Sequence, residues 1–262
     1  IVSLALPQDR YAERDRHLQF LEDVVARLEA TPTVAAATPI NATPFSGVGW
    51  DVPIVTAEGQ NAAEVAANGS VNLEAIQPGY FRTFGVAVKG RPFDRQDRED
   101  APPVAIVSLD VAARLWPGQD PIGKRLKMGD LESKDPWRTV VGVASRTRYR
   151  DLRAPQATLY VPDTQLIVTA QSLVVRSTAP LSQVADVVRN AVGASDPAVR
   201  VQRVAPFAEL MREPLARPRF YTFVLAVFGV SALLLCAIGL YAVISASVRQ
   251  RYGEIGVRLA VG

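Results

Sequence analysis

The sequence predicts an α+β domain made of two strand–helix–strand halves with a β-rich subdomain inserted between them, followed by one transmembrane helix. Three observations carry this reading. Residues 220–248 contain no Asp, Glu, Lys, Arg or His, and a bilayer core needs only about 20 helical residues to cross. Apolar residues recur at helical spacing twice, near residues 18–28 and 181–192, each time between short strand-like runs. The stretch between those two groups is a series of short β-rich runs punctuated by Gly, Pro, Asn and Asp.

In chain order, IVSLAL (1–6) reads as a strand. Leu18, Leu21, Val25 and Leu28, widened by Val24, form one helical stripe that stops near Ala30, because Pro32 cannot extend it. His17 falls on the polar side of that helix and is expected at the surface. VAAAT (34–38) returns as a strand. The inserted region, 46–143, holds strand runs at WDVPIV, VNLEAI, VAVKG, PVAIVS and RTVVGVA, with short helices at GYFRTFG and LDVAARLW. The second half follows: strands TLYVP and SLVVRS, a helix with Leu181, Val184, Val187, Val188 and Val192 on one face and Gly193 as its stop, and the alternating strand AVRVQRV. The split domain is thus assigned to 1–45 and 144–206, and a connector broken by Pro214 and Pro218 to 207–219.

The run at 220–248 is too long and too late in the chain for a signal peptide. A buried helix of a soluble core would show a polar stripe, and none is present. Three arginines precede the run (Arg212, Arg217, Arg219) and three follow it (Arg249, Arg251, Arg258), so the positive-inside rule leaves its orientation open.

Composition removes several function classes. The net charge is +3; three Arg and one Glu in 249–262 supply +2, which leaves +1 for the rest. Nucleic-acid binding has no basic face to rest on. The acidic and basic residues of DRQDRED (94–100) alternate, as in a solvated loop. The single Cys, Cys236, lies inside the apolar run, which excludes disulfides, thiolate zinc sites and thiol catalysis in the remainder. With one histidine, any His-based triad would need His17. No phosphate loop, zinc-protease motif or nucleophile elbow occurs. No catalytic, cofactor-binding or metal-binding residue is therefore assigned, and the chain is not read as an enzyme.

The segments QPGYFRTFGVAVKGRPFDRQD, PVAIVSLDVAARLWPGQDPIGKRLK, RTVVGVASRTRYRDL and LYVP, in that order, resemble the extracytoplasmic domain of MacB/FtsX-type ABC transporter permeases. Gly90, Arg91 and Phe93 match the family's G-R-x-F turn. Leu115 to Gly118 match L-W-P-G, and residues 121–124 match P-I-G-K. The tail resembles the family's cytoplasmic E-I-G-x-R-x-A-x-G segment at Glu254, Ile255, Gly256, Arg258, Ala260 and Gly262.

The resemblance implies a fragment: the outer domain, the second of four spans and the start of an intracellular loop. It implies a cytoplasmic (inner) membrane location, with 1–219 outside and 249–262 inside. It implies a permease that dimerises, with itself or a relative, and passes ATP-driven movement from an ABC ATPase to its outer domain for efflux or export. ATP would bind that separate ATPase domain or subunit, and no cofactor is expected in this chain. A periplasmic adaptor and membrane lipid are further expected partners. Glu254, Ile255 and Arg258 share one helical face by their spacing and are the expected contacts with the ATPase. Alternatives are an FtsX-like regulator of cell-wall hydrolases, a single-span binding or receptor module, and, less supported, a membrane-anchored enzyme. Two further spans beyond Gly262 would favour the permease, and a stop codon the receptor.

Overall fold

The structure is a computed structural model that describes residues 1–46, 49–150, 154–166, 170–211 and 223–245. The chain forms two compact units, Ile1–Leu210 and Met211–Gly262.

In the first unit, β1 (Val2–Ala5) leads through a single turn, α1 (Gln8–Tyr11), into α2 (Arg14–Glu29) and β2 (Val34–Ile40). The insertion comprises β3 (Trp50–Val52), β4 (Val55–Ala57), α3 (Ala62–Ala67), β5 (Val71–Ile76), α4 (Tyr80–Phe84), β6 (Val88–Gly90), β7 (Val104–Ser108), α5 (Leu109–Leu115), β8 (Arg125–Met128), β9 (Arg138–Ala144) and β10 (Thr158–Pro162). The second half is β11 (Ser172–Ser177), α6 (Leu181–Ser195), β12 (Arg200–Val204) and the short α7 (Phe207–Leu210).

The two halves make one four-stranded antiparallel sheet in the order β12-β1-β11-β2. This is the ferredoxin-like order, reached by two strand–helix–strand passes. Sequence periodicity found both passes. Helix α2 buries His17, Phe20, Leu21, Val24 and Leu28, so its inward stripe is rotated from the expected one: Leu18 and Val25 are only partly covered.

His17 is therefore not a surface residue. It is 4% exposed, its Nε2 lies 2.7 Å from the Ala170 carbonyl, and the Tyr11 ring meets it edge-on. Its position beside the stripe looked polar only because histidine is polar. A backbone partner satisfies the ring, so burial costs little.

Helix α6 runs past Gly193 to Ser195. There Tyr11 Oη donates to the following Asp196 at 2.7 Å, and Ser195 Oγ donates to Asp23 of α2 at 2.6 Å. These tertiary anchors override the glycine's weak stop signal.

The insertion forms an eight-stranded mixed sheet ordered β3-β5-β10-β7-β9-β8-β4, with β6 pairing β9. Strand β10 corrects the sequence reading, which gave residues 144–206 to the split domain. It lies parallel to β5, with Thr158 opposite Asn72 and Pro162 opposite Ile76, and antiparallel to β7. A continuous apolar run marks a buried strand but does not name its neighbour.

One face of this sheet packs under α5 through Leu73, Ala105, Val107, Leu159 and Val161. The opposite face carries Ile76, Ile106 and Tyr160, which join Ile40 of β2 and Val174 of β11 in a shared core with Tyr80 and Phe81 of α4. The two sheets are thus joined by buried apolar surface as well as by the chain.

The family-like motifs resolve into structural parts. Gly90 has φ +95°, and a Cβ there would stand 2.5 Å from the Val141 carbonyl oxygen. Arg91 holds Asp97 through two bonds of 2.7 and 2.6 Å, and Phe93 is buried. Asp97 is likewise buried, so the charged stretch 94–100 is solvated only in part. The Arg91 guanidinium and the Asp94 amide bonded to Asp97 outweigh its burial and hold its carboxyl below the usual range.

In the second unit, helix α8 (Phe223–Ser245) has 23 residues, none of them charged, and is long and apolar enough to cross a membrane. The flanks 212–222 and 246–262 lie outside the described residues.

Candidate functional site

The chain passes between the two sheets twice, in residues 41–49 and again in 163–171. Both passages carry buried charge.

At the first passage, Glu74 lies in the middle of β5, on the same sheet face as Tyr160 of β10, its direct register partner. It is 1% exposed. Its Oε1 accepts from Arg150 Nε at 3.0 Å and Nη2 at 2.9 Å, while Oε2 has no partner. Burial pushes the Glu74 carboxyl up to about 7, against the pull of Arg150. Tyr80, Tyr149 and Tyr160 surround it, and burial raises each phenol, Tyr160 to about 12.

The Tyr149 hydroxyl donates to the Ala42 carbonyl, and the Phe45 amide donates to the Tyr149 carbonyl at 3.1 Å. Phe45 has φ +62°, a left-handed backbone that costs a side-chain-bearing residue about 1–2 kcal/mol. Its ring meets Phe207 of α7, which in turn meets Phe84 of α4.

At the second passage, Asp163 follows β10 and is 6% exposed. Burial pushes its carboxyl up to about 6. The Gln77 amide approaches it from the end of β5 but completes no hydrogen bond. Arg14 of α2 reaches across and donates to the Asp163 carbonyl at 3.0 Å and to the Thr164 carbonyl. Beside this passage a cleft of about 560 Å³ opens between α2 and the α4–β6 region; Val25, Phe81, Val86 and Phe93 form its apolar walls.

The two ends of the domain are paired. Ile1 N lies 2.7 Å from the Ala205 carbonyl, and Ala205 N donates back to Ile1 at 2.9 Å. A groove of about 540 Å³ beside that pair is lined by Thr83, Phe84, Val174 and Phe207. Residues 1 and 205 therefore lie side by side, next to α4, whose Tyr80 and Phe81 also pack against the eight-stranded sheet.

Sequence reasoning selected none of Glu74, Arg150, Asp163 or Arg14. Glu74 sits in VNLEAI as an ordinary polar residue of an alternating strand, and nothing local announces that every residue of that strand is buried. The expected coupling residues Glu254, Ile255 and Arg258 lie outside the described residues. Among the described residues, no three of His, Cys, Asp and Glu converge as a cation site.

A solved structure of the periplasmic region of MacB from Actinobacillus actinomycetemcomitans is 16% identical, covers 76% of this chain and 86% of its own, and gives a TM-score of 0.47. The extracellular domain of the noncanonic ABC-type transporter YknZ from Gram-positive bacteria gives 16%, 77%, 99% and 0.47 for the same quantities. A curated relative, the macrolide export ATP-binding/permease protein MacB of Hahella chejuensis, is 27% identical over 255 residues, which are 91% of this chain and 35% of that protein. The chain therefore spans about a third of that relative's length. The family model of the MacB-like periplasmic core domain matches residues 6–194. Followed by α8, that domain is the extracytoplasmic segment of a membrane-anchored protein. A match over that much of the chain shows the family plainly, and the protein belongs to the MacB-like periplasmic core domain family.

Proposed function

We propose that the chain is a permease portion of a MacB/FtsX-type ABC transporter that carries ATP-driven movement from an ATPase to its outer domain, in the service of export. The observation that supports this most is the paired exit of the domain. Ile1 and Ala205 are hydrogen-bonded to each other, and the apolar helix begins at Phe223, fewer than twenty residues later. A displacement of the membrane segments would reach both ends together and move the four-stranded sheet as one body. The aromatic contacts of Phe84, Phe45 and Phe207 lie beside that exit and would pass the movement to the eight-stranded sheet through α4. The export direction is supported by the name of the Hahella relative, a macrolide exporter.

In this reading the domain stands outside the cytoplasmic membrane and residues 249–262 stand inside. The permease works as a dimer with an ATPase partner, ATP binds that partner, and an adaptor meets the outer domain. Glu254, Ile255 and Arg258 contact the ATPase.

The test has two arms, both in the full-length protein with Cys236→Ser. An impermeant maleimide applied to spheroplasts should label Ser70→Cys and spare Gly253→Cys; the reverse pattern contradicts the orientation. Glu254→Lys combined with Arg258→Glu should uncouple ATP hydrolysis from export while membrane insertion is kept. Unchanged coupling removes the tail from the mechanism.

A further inference from the structure

Gly49 and Arg150 share one place. A Cβ on residue 49 would stand 1.0 Å from Arg150 Nη1 and 1.5 Å from its Cζ. A side chain at residue 49 would displace the guanidinium from its place beside Glu74. The pair lies deep: the side chains of Arg150 and Glu74 are 10% and 2% exposed.

Among the described residues, the groups that face Glu74 can be named. Arg150 and Tyr149 come from the segment after β9, Asp51 from β3, Tyr80 from α4 and Tyr160 from β10. Arg150 supplies the cation, and Asp51 opposes ionisation. Glu74 Oε2 is buried and makes no bond, so it is the open position for a proton among three phenols.

Arg150 is also the end of a short chain of attachments. Its neighbour Tyr149 binds Ala42 through the side chain and Phe45 through the backbone, and both lie in the passage from β2 to β3. Phe45 is held there in a backbone conformation it would not choose alone.

From this geometry we infer that Glu74 is a proton-operated clasp between the two sheets. Ionised, it holds Arg150, and with it Tyr149 and Phe45, against β5. When one proton passes from water to Oε2, the charge that retains Arg150 is gone. The guanidinium, 10% exposed, turns outward, and residues 42–46 gain freedom. The O–H bond at Oε2 is the only covalent bond formed, the two hydrogen bonds from Arg150 to Oε1 are exchanged for bonds to water, and the bonds of Tyr149 to Ala42 and Phe45 open more readily. A carboxyl whose burial lifts it to about 7 makes this change within the pH range of compartments outside the cytoplasm. The device concerns the domain alone and does not depend on the transport reading.

The experiment is hydrogen exchange of the full-length protein followed by mass spectrometry, with rates corrected for intrinsic pH dependence, at about pH 8 and about pH 5.5. Segments 42–50 and 145–150 should lose about tenfold protection on the acid side, while strands β7 and β10 keep theirs. Glu74→Gln, isosteric and uncharged, should show the acid pattern already at the higher pH. Gly49→Ala, which fills the guanidinium's place, should do the same. Asp163→Asn should leave the response of 42–50 intact.

Equal protection at both pH values in the wild type overturns the inference. So does a loss that spreads to β7 and β10, which is unfolding and not a clasp. A Glu74→Gln protein that keeps the wild-type pH response overturns it as well. The wild-type comparison decides even where a variant fails to fold.

Discussion

The four-stranded and eight-stranded sheets are held together by different chemistry. In the four-stranded sheet, two long helices cover one face, and the most deeply buried residues are aliphatic: Leu21, Val24, Leu28, Leu173 and Val188 are fully buried, with Tyr11, Phe20 and His17 at the edge of that core. The charges there, such as Arg27 with Asp23 or Arg189 with Asp186, sit in water and contribute little.

The eight-stranded sheet has only short helices, and its turns are closed by ions drawn inside. Arg138 is 2% exposed and bound to Asp135. Lys127 is 5% exposed, donates to the Leu131 and Ser133 carbonyls, and stands over the Trp137 ring. Arg91 grips Asp97. A sheet made of many short strands has more turns per buried residue, and each turn leaves backbone carbonyls that a buried cation can satisfy. The lesson is that the first sheet should fail through lost volume and the second through lost polar partners.

The sharpest way to break this contrast is to exchange the perturbations. Leu21→Ala should cost about 3 kcal/mol, because it empties a fully buried site under two helices. Asp97→Ala should cost about 2 kcal/mol, since it removes a buried acceptor of Arg91 and of the Asp94 amide. The difference should be clearest in salt: about 0.5 M sodium chloride should leave the Leu21→Ala deficit unchanged and narrow the Asp97→Ala deficit. Urea unfolding of the two variants measures both. Equal salt sensitivity would remove the distinction.

A smaller effect sharpens the contrast through pH. The junction carboxyls Glu74 and Asp163 are raised by burial to about 7 and about 6, above their unfolded values of 4.5 and 3.8. Each folded site therefore binds its proton more tightly than the unfolded chain does. Their contribution is fully present below the unfolded values and is lost as pH rises through 6 to 7. Asp97 and Asp196 run the other way. Both are held below the usual range, so their stabilisation is present at neutral pH and lost as pH falls below about 4. Unfolding free energy should thus decline between about pH 5 and about pH 8, and Glu74→Gln should flatten that decline. A rise over the same window would contradict the burial account. Protonation suits the Glu74 pocket and at the same time ends its hold on Arg150, so global stability and local attachment move in opposite directions.

The same contrast explains what the sequence made legible. Both helices of the four-stranded sheet announce themselves by period, and their strands flank them directly, so the split domain was readable. Its stripe was rotated because His17 and Phe20 belong to it, and histidine counts as polar until its backbone partner is seen. In the eight-stranded sheet, strand existence was readable from turn residues at Gly90, Gly118 and Gly123. Strand order was not: β10 pairs with β5, more than eighty residues away, and no local signal encodes such a pairing. The junction was the least legible part. Glu74, Arg150 and Gly49 come from three distant segments, and each is unremarkable alone.

The central claim is that the domain receives movement through paired ends as one body. In full-length protein with Cys236→Ser, Ile1→Cys and Ala205→Cys occupy a hydrogen-bonded antiparallel pair, whose Cα atoms, about 5.5 Å apart, suit a disulfide. Complete oxidation should leave export-coupled ATP hydrolysis near the reduced level, because the two ends never part during the cycle. A loss on oxidation that dithiothreitol restores would show that the ends separate, and would contradict the account.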